Sequence, residues 1–97
     1  MLRGWRILAF RLKTQGVEID LLARRGAVLA VIEVKRRRTL AEALEAVTAD
    51  QRRRLRRAAE GLIRRSSLSG LSVRLDLIAL APGRLPRHIP DAWPNGG

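Results

Sequence analysis

Cysteine is absent from this 97-residue chain, which excludes disulfides and thiolate metal sites alike. Aromatic residues are almost as scarce, with one phenylalanine, two tryptophans and no tyrosine. So small a supply places Trp5 and Trp93 in the core rather than against nucleic-acid bases. His88 is the only histidine; alone it builds no metal site, and a structural or surface role is expected of it rather than catalysis. No apolar run approaches the ~20 residues that span a bilayer. The opening Met1-Leu2-Arg3-Gly4-Trp5-Arg6 is too charged for a secretory signal, so a cytoplasmic protein with no membrane contact is expected. Acidic residues are few as well. Nine Asp and Glu stand against 20 Lys and Arg, a net charge of +11, and Lys13 and Lys35 are the only lysines. A field this positive, built from planar guanidinium forks, suits phosphate oxygens and points to nucleic acid.

What is present fits one small α/β (α+β) domain over residues 1–93, followed by a frayed tail over 94–97. Residues 5–12 alternate as a strand, with Ile7 and Ala9 opposed to Leu8 and Phe10. Thr14-Gln15-Gly16 supplies a turn, residues 17–23 a second strand, and Arg25-Gly26 another tight turn. Residues 27–35 are apolar on both faces until their end, the mark of a central strand. Short links make these three an antiparallel meander. A basic loop over 36–40 leads to a weak helical pattern over 41–47 and a strong one from Thr48. There Thr48-Ala49-Asp50-Gln51 has capping-box form, with Asp50 as an alternative cap. Leu55, Ala58, Ala59, Leu62 and Ile63 mark one helical face. Residues 66–70 end the helix and residues 72–80 form a fourth strand, parallel to the third by the crossover rule. Pro82-Gly83 breaks it, and residues 87–93 are expected to add a short edge strand and an aromatic plug. The sheet is therefore mixed, with the arginine-rich helix on one face and no evident cover on the other.

Acidic residues cluster where chemistry is most plausible. Glu18 and Asp20 are two apart on one strand, Glu33 and Lys35 two apart on the next, so alternation sends each pair to one side. Pairing outward from Arg25-Gly26 brings Asp20 opposite Glu33, where facing Cβ atoms lie ~4.5–5.5 Å apart. Carboxylates that close repel unless a cation joins them or one keeps its proton. A hard ion such as Mg²⁺ or Mn²⁺ accepts that set together with water and a phosphate oxygen. Lys35 beside it can orient a water or steady charge on a phosphate. The plainer reading of Glu33-x-Lys35 is an exposed ion pair. Its place at the mouth of a central strand, beside a carboxylate-bearing neighbour, makes a catalytic site an equal alternative.

These residues resemble the PD-(D/E)xK nuclease superfamily, an acidic residue followed after a gap by (Asp/Glu)-x-Lys. More narrowly, Gly16-Val17-Glu18-Ile19-Asp20-Leu21-Leu22-Ala23 and Val31-Ile32-Glu33-Val34-Lys35-Arg36-Arg37 resemble the bacterial YraN-like family. Val73-Arg74-Leu75-Asp76-Leu77-Ile78-Ala79 and Arg87-His88-Ile89-Pro90-Asp91-Ala92-Trp93 are similar to that family's closing pattern. The resemblance implies a restriction-endonuclease-like core and a metal-dependent endonuclease, resolvase-like, acting on branched or damaged DNA. It implies Asp20 and Glu33 as metal ligands, the Val34 carbonyl as a further one, and Lys35 as base or stabiliser. Glu18 matches a family glutamate and is an accessory candidate. Gln51 matches a helix glutamine near the metal in related nucleases, although its capping role is the simpler account. Asp76 matches a family aspartate but is expected to pair with an arginine. Arg36, Arg37 and Arg38 in the loop and Arg52, Arg53 and Arg56 on the helix are the expected phosphate contacts. Relatives in that family begin with one more helix ahead of Leu2-Arg3-Gly4-Trp5-Arg6. Without it an exposed apolar sheet face is expected; either Met1 is not the true start, the chain is a fragment, or a second copy or another partner covers that face. Two alternatives follow, a nucleic-acid-binding protein of nuclease fold that does not cut and a module that docks a partner on that face.

Overall fold

The computed structural model describes residues 2–94; the tail expected over 94–97 lies outside them except for Pro94. Strand β1 (Arg6–Thr14) turns into β2 (Val17–Arg25) across Gln15 and Gly16. Both have positive φ, 48° and 79°, the pattern of a two-residue hairpin whose twist matches its strands. Thr14 pairs with Val17, so β1 runs two residues past its expected end at Leu12. Gly26, at φ 58°, lets the chain reverse into β3 (Val28–Arg36). Strand β3 pairs in parallel with β4 (Ser72–Leu80), from Val28↔Ser72 to Arg36↔Leu80. The short β5 (Arg87–Ile89) closes that side, and the five strands lie in the order β1-β2-β3-β4-β5. The expected mixed sheet, with its meander, parallel fourth strand and short edge strand, is the one observed.

Two helices fill the crossover, α1 (Leu40–Glu45) and α2 (Ala49–Arg64). Each begins at a threonine whose hydroxyl accepts an orphan amide, Thr39 from Glu42 and Thr48 from Gln51, both at 3.1 Å. Helix α2 buries Leu55, Ala58, Ala59 and Gly61. Leu55 and Ala59 meet Ile19, Leu22, Leu29, Val31 and Leu75 from the sheet. The C-terminal tail returns to this side. The Trp93 ring packs against the same core, its indole N–H donates to the Leu44 carbonyl at 3.0 Å, and the Arg52 guanidinium lies 5.4 Å from its centroid. The expected plug is present.

The second face corrects the expectation of bare apolar surface. Leu21, Ala23, Ala30, Ile32 and Ile78 at its centre are at most 5% exposed. Leu2, Trp5, Val34 and Leu80 pack over them. Trp5 is held between the guanidiniums of Arg25 and Arg74, at 4.7 and 5.0 Å, and stands edge-on to His88. Ala23 and Ala30 keep this face shallow, so one indole and the apolar stems of long side chains suffice to cover it. The centre of this face is thus covered by the chain's own side chains. Exposed apolar side chains lie instead at the β1 edge, where Phe10 is 71% exposed, and in the loop before β5, at Leu85. No helix among the described residues is long and apolar enough to cross a membrane.

Candidate active site

The β2–β3 ladder runs from Arg25↔Val28 to Leu21↔Ile32, and the next step outward faces Asp20 with Glu33. There side chains take over from the backbone. Asp20 Oδ2 accepts the Val34 amide at 2.9 Å, and Glu33 Oε2 accepts the Asp20 amide at 3.4 Å. Each strand thus holds the other's carboxylate, and acidic side chains stitch the two strands where their ladder ends.

Alternation from Leu22 sends Asp20 toward the helix, but it does not account for Ile19. Ile19 and Leu22, three apart, both join the helix-side core, which requires a break in the period of two between them. Leu12↔Ile19 and Phe10↔Leu21 pair on either side, so Arg11 stands across from Asp20, and Arg11 has φ 50°. A left-handed non-glycine residue in one strand facing the break in its neighbour is the signature of a local kink. It brings Ile19 into the helix-side core while Asp20 keeps the side of Leu22 and lines the cleft. On β3 the alternation is regular: Glu33 and Lys35 continue the Leu29, Val31 row toward the helix.

Glu18, Asp20, Glu33, Lys35, Gln51 and Arg54 line one cleft of about 490 Å³ between β2, β3 and the first turns of α2. Glu33 is 3% exposed. Burial first, then the charge of Asp20, push its carboxyl up to about 7, against smaller opposing effects of the Asp20 amide and Lys35. Glu18 sits at the mouth in an exposed ion pair with Arg11 at 3.2 Å. Gln51 gives its amide to the Thr48 cap, but no return bond from its side chain to Thr48 is found among the described residues. The amide group is left facing the cleft. Arg54 escaped the sequence reading, although its place three residues after Gln51 and one before buried Leu55 was the available signal.

The donor set fits a hard divalent ion on chemical grounds. These hydrogen bonds engage one oxygen of Asp20 and one of Glu33, leaving the second oxygen of each. A raised Glu33 is also what a carboxylate pair lacking enough local positive charge produces. Among the described residues no group of three or more His, Cys, Asp or Glu side chains could hold a metal. An ion here would draw on two carboxylates, with main-chain carbonyl, water or phosphate oxygens completing its shell. Magnesium sites are commonly of that kind.

The arginines divide. Arg36, Arg37, Arg38 and Arg53 are exposed, Arg53 in an ion pair with Asp50 at 3.0 Å. Arg52 and Arg56 are half-buried and work inside the fold, which corrects their assignment as outward phosphate contacts. Arg52 donates to the Val47 carbonyl at 2.7 Å besides covering Trp93, and Arg56 donates to the Val73 carbonyl at 3.3 Å. Both lie where α2 meets the sheet or the tail, so packing claims their forks.

Asp76 stands outside the cleft. It is fully buried and accepts two bonds from Arg74 at 2.8 Å and one from the Asp91 amide at 3.0 Å. His88 Nε2 lies 2.8 Å away. Burial alone would raise this carboxyl, but the Arg74, Asp91 and His88 bonds together hold it below the ordinary carboxylate range. Asp76 pairs with Arg74, the arginine partner expected of it, and together with His88 fastens the tail to β4.

Residues 1–80 match the uncharacterised protein family UPF0102. The chain is 64% identical over 94 residues to a UPF0102 protein of Caulobacter vibrioides, covering 96% of this chain and 75% of the relative. A UPF0102 protein of Paramagnetospirillum magneticum is 52% identical, with 95% and 75% covered. One of Rhizobium meliloti is 48% identical, with 96% and 77% covered.

Proposed function

The chain belongs to the UPF0102 family, and from that premise we propose that it is a metal-dependent endonuclease hydrolysing phosphodiester bonds in DNA, branched or damaged DNA included. One observation carries this reading: Asp20 and Glu33 are held together where the β2–β3 ladder opens, in a cleft shared with Lys35. Surface ion pairs do not need such stitching, and a structural role gives no reason to crowd two carboxylates until one is pushed to about 7.

In this reading Asp20 and Glu33 hold Mg²⁺ or Mn²⁺ through their remaining oxygens, with the Val34 carbonyl as a further donor. Such an ion, when bound, offsets phosphate charge and lowers the pKa of water. Lys35 orients the attacking water and steadies the negative charge that grows on the phosphate oxygens as one P–O ester bond breaks. Arg54 offers a planar fork to the same phosphate from the helix side. Gln51 can both donate to and accept from the water. Glu18, engaged with Arg11, acts as an accessory charge at the mouth. Arg36, Arg37, Arg38 and Arg53 supply backbone contacts that position DNA without reading its sequence.

The test is incubation of labelled duplex, forked and four-way DNA with the full chain and Mg²⁺ or Mn²⁺. Cleavage that disappears with EDTA and in Asp20→Ala is expected; cleavage surviving both overturns the reading. A second reading has its own observation, the lack of a third acidic or histidine ligand among the described residues. It makes the chain a nucleic-acid-binding protein that does not cut. Salt-dependent DNA binding, with no calorimetric signal for Mg²⁺ or Mn²⁺ at millimolar concentration and no cleavage, would favour it.

A further inference from the structure

Four arginines converge on a second groove, of about 570 Å³, beside the cleft: Arg37, Arg38, Arg84 and Arg87. Its apolar wall comes from Leu40, Ala79, Ala81 and Leu85. No acidic residue lines it, and none of the four guanidiniums enters an ion pair found among the described residues. Leu85 is 89% exposed, set between Arg84 and Arg87 with Pro86 stiffening the loop. Leu85 thus offers an apolar side chain to a ligand among four cations.

The groove and the cleft open at the same end of the sheet. Ala79 pairs with Lys35 on one side and with Arg87 on the other. The Arg37 amide donates to the Leu80 carbonyl at 3.0 Å, so the ladder continues past β3 and Arg37 lies two strand residues, ~7 Å, beyond Lys35. Ala79 shares the parity of Leu75, which is in the helix-side core, so both openings share the helix-bearing side. A strand with one phosphate at Lys35 can therefore pass its next phosphates to Arg37 and its neighbours.

The lining selects the kind of strand. Guanidiniums bind phosphate in any nucleic acid, but an apolar wall is useful only to a ligand that exposes flat apolar faces between its charges. A duplex hides its bases in the stack; an unpaired strand does not. We infer that this groove binds an unpaired nucleic-acid strand leading away from the cleft, so that the substrate is DNA with a single-stranded arm, such as a fork or flap. The substrate half of this inference rests on the nuclease reading; the affinity of the groove does not.

The experiment is fluorescence anisotropy of the full chain in EDTA, where cutting plays no part, with a single strand, a blunt duplex and the same duplex bearing one unpaired arm. The fork is expected to bind at least tenfold tighter than the blunt duplex at equal salt. Arg84→Ala/Arg87→Ala should erase that preference and lower the salt slope on the single strand by about 1.4, at ~0.7 per phosphate. Leu85→Ser should weaken fork binding several-fold with the slope unchanged, because it removes an apolar contact and no charge. Arg57→Ala/Arg64→Ala removes equal charge from exposed positions of α2 and should leave the preference intact. Equal losses in the two double variants, no preference in the wild type, or displacement of the single strand by a glutamate-rich peptide at equal concentration would each overturn the groove. Circular dichroism confirms that each variant is folded. Binding as expected, with no fork cleavage when Mg²⁺ is added, removes the nuclease reading and leaves the groove standing.

Discussion

Glu33 is the residue at which energetics and function meet. Its carboxyl is pushed from 4.5 to about 7 by burial and by Asp20, so the folded chain holds a proton that the unfolded chain has released. Between those values the native state binds more protons, and stability falls as pH rises. The metal-free protein should lose on the order of 3 kcal/mol between pH 4.5 and pH 7.5, at about 1.4 kcal/mol per pH unit. Urea melts across that range check it, and Glu33→Gln should flatten the curve. Asp76, held below its ordinary value, acts in the opposite direction and only in more acidic solution, so the two windows separate. Gln51 offers a second test at this scale. Its main-chain amide serves the Thr48 cap, a role that substitution leaves in place. Gln51→Ala should therefore cost only a few tenths of a kcal/mol while lowering cleavage tenfold or more; a stability loss of about 1 kcal/mol would return the side chain to a capping role.

At the scale of elements, the last β-strand and the tail after it depend on a buried charge. Asp76 collects the Arg74 fork, His88 and the Asp91 amide at the point where β5 and Trp93 fold back. Asp76→Ala leaves the Arg74 guanidinium and the Asp91 amide without that partner. A loss of about 3–5 kcal/mol is expected in chemical denaturation, with Trp93 fluorescence moving to the red as the plug loosens. Much of this architecture was legible in the sequence. The two-sided apolar run of β3, the Thr48 cap and the breaker at Pro82-Gly83 are local signals, and each element stands near its expected place. The kink at Asp20 was not legible, because it arises only when Arg11 is paired across from it. The internal duties of Arg52 and Arg56 were hidden as well, since an arginine reads as surface until a carbonyl or an indole is found within its reach. The cover on the second face was missed because its depth depends on Ala23 and Ala30 lying under Trp5, a tertiary fact. The acidic site itself was readable as a cluster, yet what joins it is an exchange of amides between strands, which no spacing reveals.

For the molecule as a whole, the distribution of charge matters more than its sum. The net charge is +11, yet four of the nine acidic residues, Glu18, Asp20, Glu33 and Asp50, line one cleft. The surface draws a polyanion in, and the floor of the cleft repels the phosphate that must reach it. Two unit charges about 4 Å apart interact by about 1 kcal/mol in water and more where water is excluded, so the repulsion is worth roughly a factor of ten in affinity. A divalent cation on Asp20 and Glu33 would reverse its sign. Removing the charges should have part of the same effect by another route. At pH 8, where Glu33 is mostly ionised, Asp20→Asn/Glu33→Gln is expected to bind DNA about tenfold more tightly than the wild type in EDTA. Added Mg²⁺ at constant ionic strength should then tighten the wild type toward the variant and leave the variant unchanged. Anisotropy titrations with and without Mg²⁺ measure both. Equal affinities in EDTA would mean that phosphate does not approach these carboxylates, and the cleft would lose its claim to the scissile bond even if the arginines around it hold DNA.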